Sequence, residues 1–316
     1  MENRTPLIIL TGPTAVGKTE LSVRLAEQIN GEIISADSIQ IYRHMDIGSA
    51  KVTLEEMHGI RHYLIDELEP DEEFNIYIFQ EKAKAAIKEI YQAGKIPIIA
   101  GGTGFYIQSL LYDIQFTEEK NDMAYRRKLE SVAARDGAEI LHKMLAAVDE
   151  QSARDIHANN VKRVIRALEY YHQTGEKISV HNEEQRQRIS PYDFRYFVLN
   201  MDRTLLYQRI DKRVDLMIAA GLEDEVRWLL NHGYHTDLVS MQGIGYKEMC
   251  DYINGNCTRE EAIYTIKRDT RHFAKRQLTW FRREKDTIWM NKDEFDYNED
   301  RILDEMLKVC RDRGIL

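Results

Sequence analysis

Proline is scarce in this chain, with 5 in 316 residues, and cysteine is scarcer, with 3. So little proline excludes a collagen-like or Pro-rich disordered chain, and 43% hydrophobic residues suffice for one large or two modest domains. Cys250, Cys257 and Cys310 form an odd set with no Cys-x-x-Cys pair, which excludes a disulfide scaffold and the usual zinc and redox motifs. Inert thiols are expected. Long apolar runs are missing too: Leu7-Ile8-Ile9-Leu10 falls far short of the roughly 20 residues that a membrane span needs. The first residues lack the basic, apolar and small-residue progression of a secretory signal, so a cytoplasmic protein with no membrane partner is expected.

A surplus of positive charge is also absent. The net charge of -9 argues against a general polyanion binder, but the sum hides an uneven distribution. Residues 1–119 hold 10 Lys and Arg against 19 Asp and Glu, whereas 120–200 hold 14 against 12 and 201–290 hold 15 against 14. Within 267–285, eight basic side chains stand with two acidic ones. An anionic partner should meet the middle of the chain.

What the chain does have is alternation. Short β-rich runs at 7–10, 32–36 and 96–100 alternate with helical patterns at 18–29 and 75–92, the sequence form of an α/β core with a parallel sheet. From about 117 to 188 the pattern is helical only, with starts near Asp122, Asp136 and Asn160. Strand character returns at 195–200, followed by helices at 203–220, 223–231 and 259–283 and a short strand at 288–290. Thr258 and Glu261 have capping-box spacing. The expected fold is an α/β, P-loop NTPase-like parallel sheet core flanked by helices (1–117 and 190–316) with an all-helical insertion domain (118–189).

Gly12-Pro13-Thr14-Ala15-Val16-Gly17-Lys18-Thr19 matches G-x-x-x-x-G-K-[ST] between a strand and a helix. In such a loop backbone N–H groups turn inward around phosphate oxygens, Lys18 adds a point charge, and the Thr19 hydroxyl can ligate Mg²⁺. The loop is of the nucleotide-binding, ATP-binding type, yet it does not say whether the diphosphate it grips belongs to a nucleotide. Asp37 follows the next strand, on the side where open α/β sheets bind ligands. It can hold Mg²⁺ through water, accept a proton from a nucleophile, or simply cap the next turn, and spacing does not separate these. The polar segment 38–51 is too polar for core. Gly101-Gly102-Thr103-Gly104 follows the strand at 96–100 and reads either as a close-approach site for a ligand or as a tight turn. His58-x3-His62 and His232-x2-His235 lack a matching third ligand and read as surface histidines.

Together these pieces resemble the bacterial tRNA dimethylallyltransferases, or tRNA isopentenyltransferases, over nearly the whole chain. The resemblance rests on the 12–19 loop, on Asp37-Ser38-x-Gln40-x-Tyr42-Arg43-x-Met45-Asp46-Ile47-Gly48, on Gly101-Gly102-Thr103-Gly104, and on Asn160-x-x-Arg163-x-x-Arg166-Ala167-Leu168-Glu169. It rests also on Gln242-Gly243-Ile244-Gly245-Tyr246-Lys247-Glu248 and on Ala274-Lys275-Arg276-Gln277-Leu278-Thr279-Trp280-Phe281. It implies transfer of a dimethylallyl group from dimethylallyl diphosphate to the exocyclic N6 amine of the adenosine 3′ of the anticodon, with no nucleotide hydrolysed. It further implies that the loop holds the diphosphate with Lys18, Thr19 and Mg²⁺, that Asp37 is the general base, and that Arg213 meets the diphosphate across a channel.

By the same resemblance Asp37, Ser38, Ile39, Gln40, Thr103 and Arg126, or its neighbour Arg127, meet the flipped-out base and its RNA. Val161, Lys162, Arg163, Val164 and Ile165 would meet the anticodon stem, Lys162 and Arg166 sharing a helical face. Gln242, Gly243, Ile244, Gly245, Tyr246 and Lys247 form an expected glycine-containing turn near the RNA path. The basic and aromatic stretch 267–285 suits RNA as well as a solvated amphipathic helix. Phe74 and Tyr106 are placed beside the prenyl group from their neighbours, and a monomer is expected. Two departures stand out: no paired Cys and His follow the last helix as in eukaryotic relatives, which implies the bacterial form, and Val16 stands where Ser is common. The rival readings are a P-loop small-molecule kinase, a prenyltransferase acting on free adenine nucleotides, and an RNA-binding module with a vestigial loop.

Overall fold

In the computed structural model, residues 4–115 and 122–316 are described. The chain divides into two compact units, one comprising the residues up to Leu111 together with Pro191–Leu316, the other Tyr112–Ser190. The expected boundary at 117/118 lies outside the described residues.

The first unit is built on one six-stranded sheet. Its strands are β1 (Thr5–Thr11), β2 (Gly31–Ala36), β3 (His62–Tyr63), β4 (Ile96–Gly101), β5 (Tyr192–Asn200) and β6 (Thr287–Asn291). They lie in the order β3-β2-β4-β1-β5-β6, and every neighbouring pair is parallel. Leu7, Ile8, Ile9 and Leu10 of central β1 are all fully buried, as expected for a parallel strand covered on both faces. Its helices are α1 (Lys18–Ile29), α2 (Ile76–Gln92) and α3 (Gly104–Leu111), and after the second unit α9 (Arg203–Ala219), α10 (Leu222–Asn231), α11 (Tyr246–Ile253), α12 (Arg259–Phe281) and α13 (Glu299–Asp312). The capping box at Thr258 and Glu261 opens α12. One core cluster joins Leu21 and Leu25 of α1, Ile8 and Leu10 of β1, Phe197 of β5 and Ile302 and Met306 of α13.

The second unit is helical throughout its described residues: α4 (Met123–Asp136), α5 (Ala138–Val148), α6 (Glu150–Asp155), α7 (Val161–Thr174) and α8 (Ile178–Arg186). Leu129, Leu141, Leu145, Val164, Ile165 and Leu168 form its core. The helix start expected near Asp136 falls at Ala138: Asp136 ends α4 and Gly137, at φ +90°, separates it from α5. Asp122 does cap α4 through its side chain. The glycine turn expected over 242–247 is also shorter than foreseen, since Tyr246 and Lys247 already open α11. Among the described residues no helix is long and apolar enough to cross a membrane.

Candidate active site

The register pairs both Thr11 of β1 and Ala36 of β2 with Gly101 of β4, so three carboxyl ends stand side by side. The 12–19 loop, Asp37 and the Gly101-Gly102 turn leave these ends together and line one cavity of about 500 Å³. This is the edge at which open parallel sheets bind ligands.

The loop has the expected form. Ala15 (φ +64°) and Gly17 (φ +101°) adopt left-handed conformations, and Gly17 caps α1. Lys18 Nζ donates to the carbonyls of Gly12 at 3.0 Å and Pro13 at 2.9 Å. Part of Lys18 reaches the surface, but its ammonium is enclosed, and burial pulls its pKa down to about 7. The Arg213 guanidinium adds to that shift and the Asp37 carboxylate opposes it. Arg213 reaches Thr14 Oγ1 at 3.5 Å, and burial lowers its pKa while Asp37 holds it up. Lys18, Arg213 and Asp37 are therefore electrostatically coupled around one space, a feature typical of functional clefts.

Asp37 Oδ1 accepts the N–H groups of Ile39 at 2.9 Å and Gln40 at 3.4 Å. The turn-capping role thus occupies one carboxylate oxygen while the side chain still lines the cavity. Gln40 also lines it and donates to the carbonyls of Ser49 and Ala50. Thr19 lines it beside Lys18. Ser38, Ile39 and Thr103 are half-buried and lie outside the lining, with Thr103 donating its N–H to the Ala36 carbonyl. Phe74 and Tyr106 stack with Tyr42 and Phe79 in an aromatic cluster outside the cavity lining.

The glycine turn makes its close approaches to protein. A β-carbon on Gly102 would stand 2.2 Å from Nε2 of Gln277, and one on Gly104 would stand 2.2 Å from Trp280. Gln277 in turn accepts the Thr14 N–H at 2.9 Å and donates to the Gly102 carbonyl at 3.0 Å, tying the two glycine loops together.

Sequence reasoning left several of these residues without a role. Arg209 donates from Nε to the Ala15 carbonyl at 2.8 Å and lines the cavity with Lys212 and Arg213. The signal was present, since Arg209 precedes Arg213 by four residues and shares its helical face. Gln277 was visible only as part of a motif, because its use depends on a contact 263 residues away.

The residues expected to meet RNA differ in burial. Val164 and Ile165 point into the core of the second unit, and Tyr246 is fully buried with its hydroxyl on Glu225 at 2.8 Å. The helical period that turns Lys162, Arg163 and Arg166 outward turns Val164 and Ile165 inward. Val161 is half-buried against that same core. Arg126 is paired with Glu169 at 3.2 Å, whereas Arg127 is exposed. Gln242 is exposed, Gly243 and Ile244 are half-buried, Gly245 is buried, and Lys247 lies 3.4 Å from Glu248. In α12, Lys267 and Arg271 are tied to Asp215 and Asp211 of α9, while Lys275, Arg276 and the following Arg282 and Arg283 are exposed.

His58 pairs with Glu27 and His232 stacks on Trp228, but His62 lines the cavity with its pKa lowered by burial. Among the described residues no three His, Cys, Asp or Glu converge as a metal cluster. Cys250 and Cys310 are buried, and burial pushes both thiols up to about 11.

Known proteins resemble this chain in sequence and in fold. The family model described as IPP transferase matches residues 40–284. A protein of Lachnoclostridium phytofermentans named tRNA dimethylallyltransferase is 61% identical over 98% of this chain and 99% of its own. The crystal structure of tRNA delta(2)-isopentenylpyrophosphate transferase from Staphylococcus epidermidis superimposes with a TM-score of 0.73 at 45% identity, covering 98% of this chain and 100% of that one. A eukaryotic dimethylallyltransferase acting on tRNA gives a TM-score of 0.77 at 30% identity over 91% of this chain and 74% of its own. With the family model spanning more than half of its length and such relatives spanning nearly all of it, the chain belongs to the IPP transferase family, that of the tRNA dimethylallyltransferases.

Proposed function

We propose that the chain transfers a dimethylallyl group from dimethylallyl diphosphate to N6 of the adenosine 3′-adjacent to the anticodon of tRNA, releasing diphosphate. The observation that carries this reading is the shared cavity of the phosphate loop, Asp37 and Arg213. The acceptor amine is a weak nucleophile because its lone pair is delocalised into the purine ring. In the reaction a bond forms between N6 and C1 of the prenyl group as the C1–O bond to diphosphate breaks. Asp37 accepts the N6 proton. Lys18, Arg213 and the N-terminus of α1 take up the charge that develops on the departing diphosphate, an electrostatic contribution that grows as the bond breaks.

The chemistry suits Mg²⁺, which takes hard oxygen ligands: the Thr19 hydroxyl lines the cavity beside Lys18, where the diphosphate would add its own oxygens. Bound there, the ion would neutralise diphosphate charge. The second unit carries Lys162, Arg163 and Arg166 outward, and we assign these exposed cations to phosphates of the anticodon stem. Arg127, Lys275 and Arg276 are further cations of the RNA surface. Work on tRNA fits a cytoplasmic protein, and a monomer is the form assigned to it.

The test is transfer of label from dimethylallyl diphosphate to unmodified tRNA by the purified protein with Mg²⁺ and without ATP, with Asp37→Asn and free AMP run in parallel. Transfer to tRNA alone, reduced roughly 10²–10⁴-fold in the variant, is the expected outcome. Label on AMP would make the protein a small-acceptor prenyltransferase. Activity only with ATP would make it a kinase.

A further inference from the structure

Glu225 lies on α10, outside the cavity lining, yet its carboxylate accepts four hydrogen bonds. Oε2 takes the backbone N–H groups of Asp46 at 2.9 Å and Ile47 at 2.7 Å, and Oε1 takes that of Gly48 at 3.0 Å and the Tyr246 hydroxyl at 2.8 Å. Three consecutive N–H groups converging on one carboxylate fix the local backbone, because no other single partner would satisfy all of them together. The far side of the segment is fixed as well. A β-carbon on Gly48 would stand 2.5 Å from Cζ of the buried Tyr246 ring, so the segment rests directly on that ring. Lys51 closes its end by donating to the Tyr42 carbonyl at 2.7 Å and to Asp46 and Asp66.

What this segment holds is the side chain of Gln40. The carbonyls of Ser49 and Ala50, directly after the clamped residues, accept the Gln40 amide at 3.4 and 3.3 Å. Ser49 and Gln40 line the cavity, and the Gln40 N–H is bonded to Asp37 Oδ1. None of these bonds involves the 12–19 loop. We propose that Glu225 is a positioning residue for the acceptor wall: acting through residues 46–50, it sets where Gln40 and Asp37 meet the incoming adenine, and leaves the diphosphate side alone. The proposal rests on the reaction proposed above. It also accounts for the polar Asp46-Ile47-Gly48 segment, which otherwise has no role in the site.

The experiment compares the full chain with Glu225→Ala and Glu225→Gln, measuring kcat and KM for each substrate per folded enzyme, together with backbone amide exchange over residues 46–50. For Glu225→Ala the expected result is a fall in kcat/KM for tRNA of about tenfold to a hundredfold, the scale of a misplaced reacting group, with KM for dimethylallyl diphosphate within about twofold. Glu225→Gln keeps one acceptor oxygen and should fall between. A purely structural role would lower the amount of folded enzyme without producing this split between substrates. An equal rise in KM for both substrates, or no loss of kcat/KM on tRNA, would overturn the proposal. If the Ala variant does not fold, the Gln variant decides by the same split. Amide exchange needs no turnover: faster exchange at 46–48 supports the clamp and unchanged exchange sinks it, even if the wild-type protein transfers no prenyl group and the proposed reaction fails.

Discussion

Gln277 stands so close to Gly102 that its amide donates to the Gly102 carbonyl at 3.0 Å and leaves no room for a side chain there. With its other end on the Thr14 N–H, this one buried side chain from α12 joins the loop after β1 to the loop after β4. Gln277→Ala would strand a carbonyl and an N–H in a largely enclosed place, at about 1–3 kcal/mol of folding stability. Loosening the phosphate loop should also raise KM for the prenyl diphosphate. Urea unfolding and donor titration of the variant check both, and a variant with unchanged stability and unchanged KM would show that the bridge does not matter.

Lys18 predicts a pH dependence. Its pKa in the free protein is about 7, and two or more phosphate charges placed against the ammonium must raise it. The bound state then holds a proton that the free state has lost above pH 7. Affinity is therefore complete below pH 7 and weakens as pH climbs, with a slope of up to one proton per decade. Calorimetry with an unreactive prenyl diphosphate analogue between pH 6 and 9 measures this slope. Lys18→Met should bind more weakly and lose that part of the slope. A slope identical in wild type and variant would assign the proton to another group.

The elements that were legible in the sequence are those whose signals are local. The 18–29 helix is recognisable because it opens at Lys18, inside a loop motif that leads from a strand into a helix. Asp37 and the phosphate loop could be paired in advance because parallel strands deliver their carboxyl ends to one edge. β3 was not visible, because two residues carry no period. α3 was hidden by its glycine-rich start, where Gly104 packs tightly on Trp280. α13 went unread although Asn298 caps it and Ile302, Leu303, Met306 and Cys310 give it an apolar face. At the site, the hidden partners are Gln277, Arg209 and Glu225, whose roles exist only through contacts across nearly 180 residues or more. The inward direction of the Val164 and Ile165 side chains was not legible, because a motif names consecutive residues while a helix turns only some of them to solvent.

Arg126 and Arg127 are neighbours with different predicted consequences. Arg126 faces Glu169, which is 8% exposed as a residue, so Arg126→Ala leaves a carboxylate largely out of water and should destabilise the helical unit by about 1–3 kcal/mol. Arg127 is exposed, and Arg127→Ala should leave stability within about 0.5 kcal/mol and weaken tRNA binding. Thermal unfolding and filter binding of the two variants separate the roles, and the reverse pattern would move the RNA contact to Arg126.

The basic helix α12 divides in the same manner, and the division is set by what faces it. Lys267 pairs with Asp215 at 2.6 Å and Arg271 with Asp211 at 2.5 Å, so the first half of the helix spends its charge on α9. Lys275 and Arg276, four and five residues after Arg271, are exposed. Neutralising a cation that meets a phosphate removes one released counterion, and the slope of log affinity against log salt should flatten by about 0.7–0.9 for each such residue. Lys275→Ala and Arg276→Ala should each show that flattening with stability unchanged. Lys267→Ala and Arg271→Ala should leave the slope intact, because these cations are already paired with Asp215 and Asp211, and should cost no more than about 1 kcal/mol of stability. Binding of unmodified tRNA between 50 and 300 mM salt gives the four slopes. Four slopes equal to that of the wild-type protein would mean that these α12 cations meet no RNA phosphate, leaving recognition to the outward cations of α7.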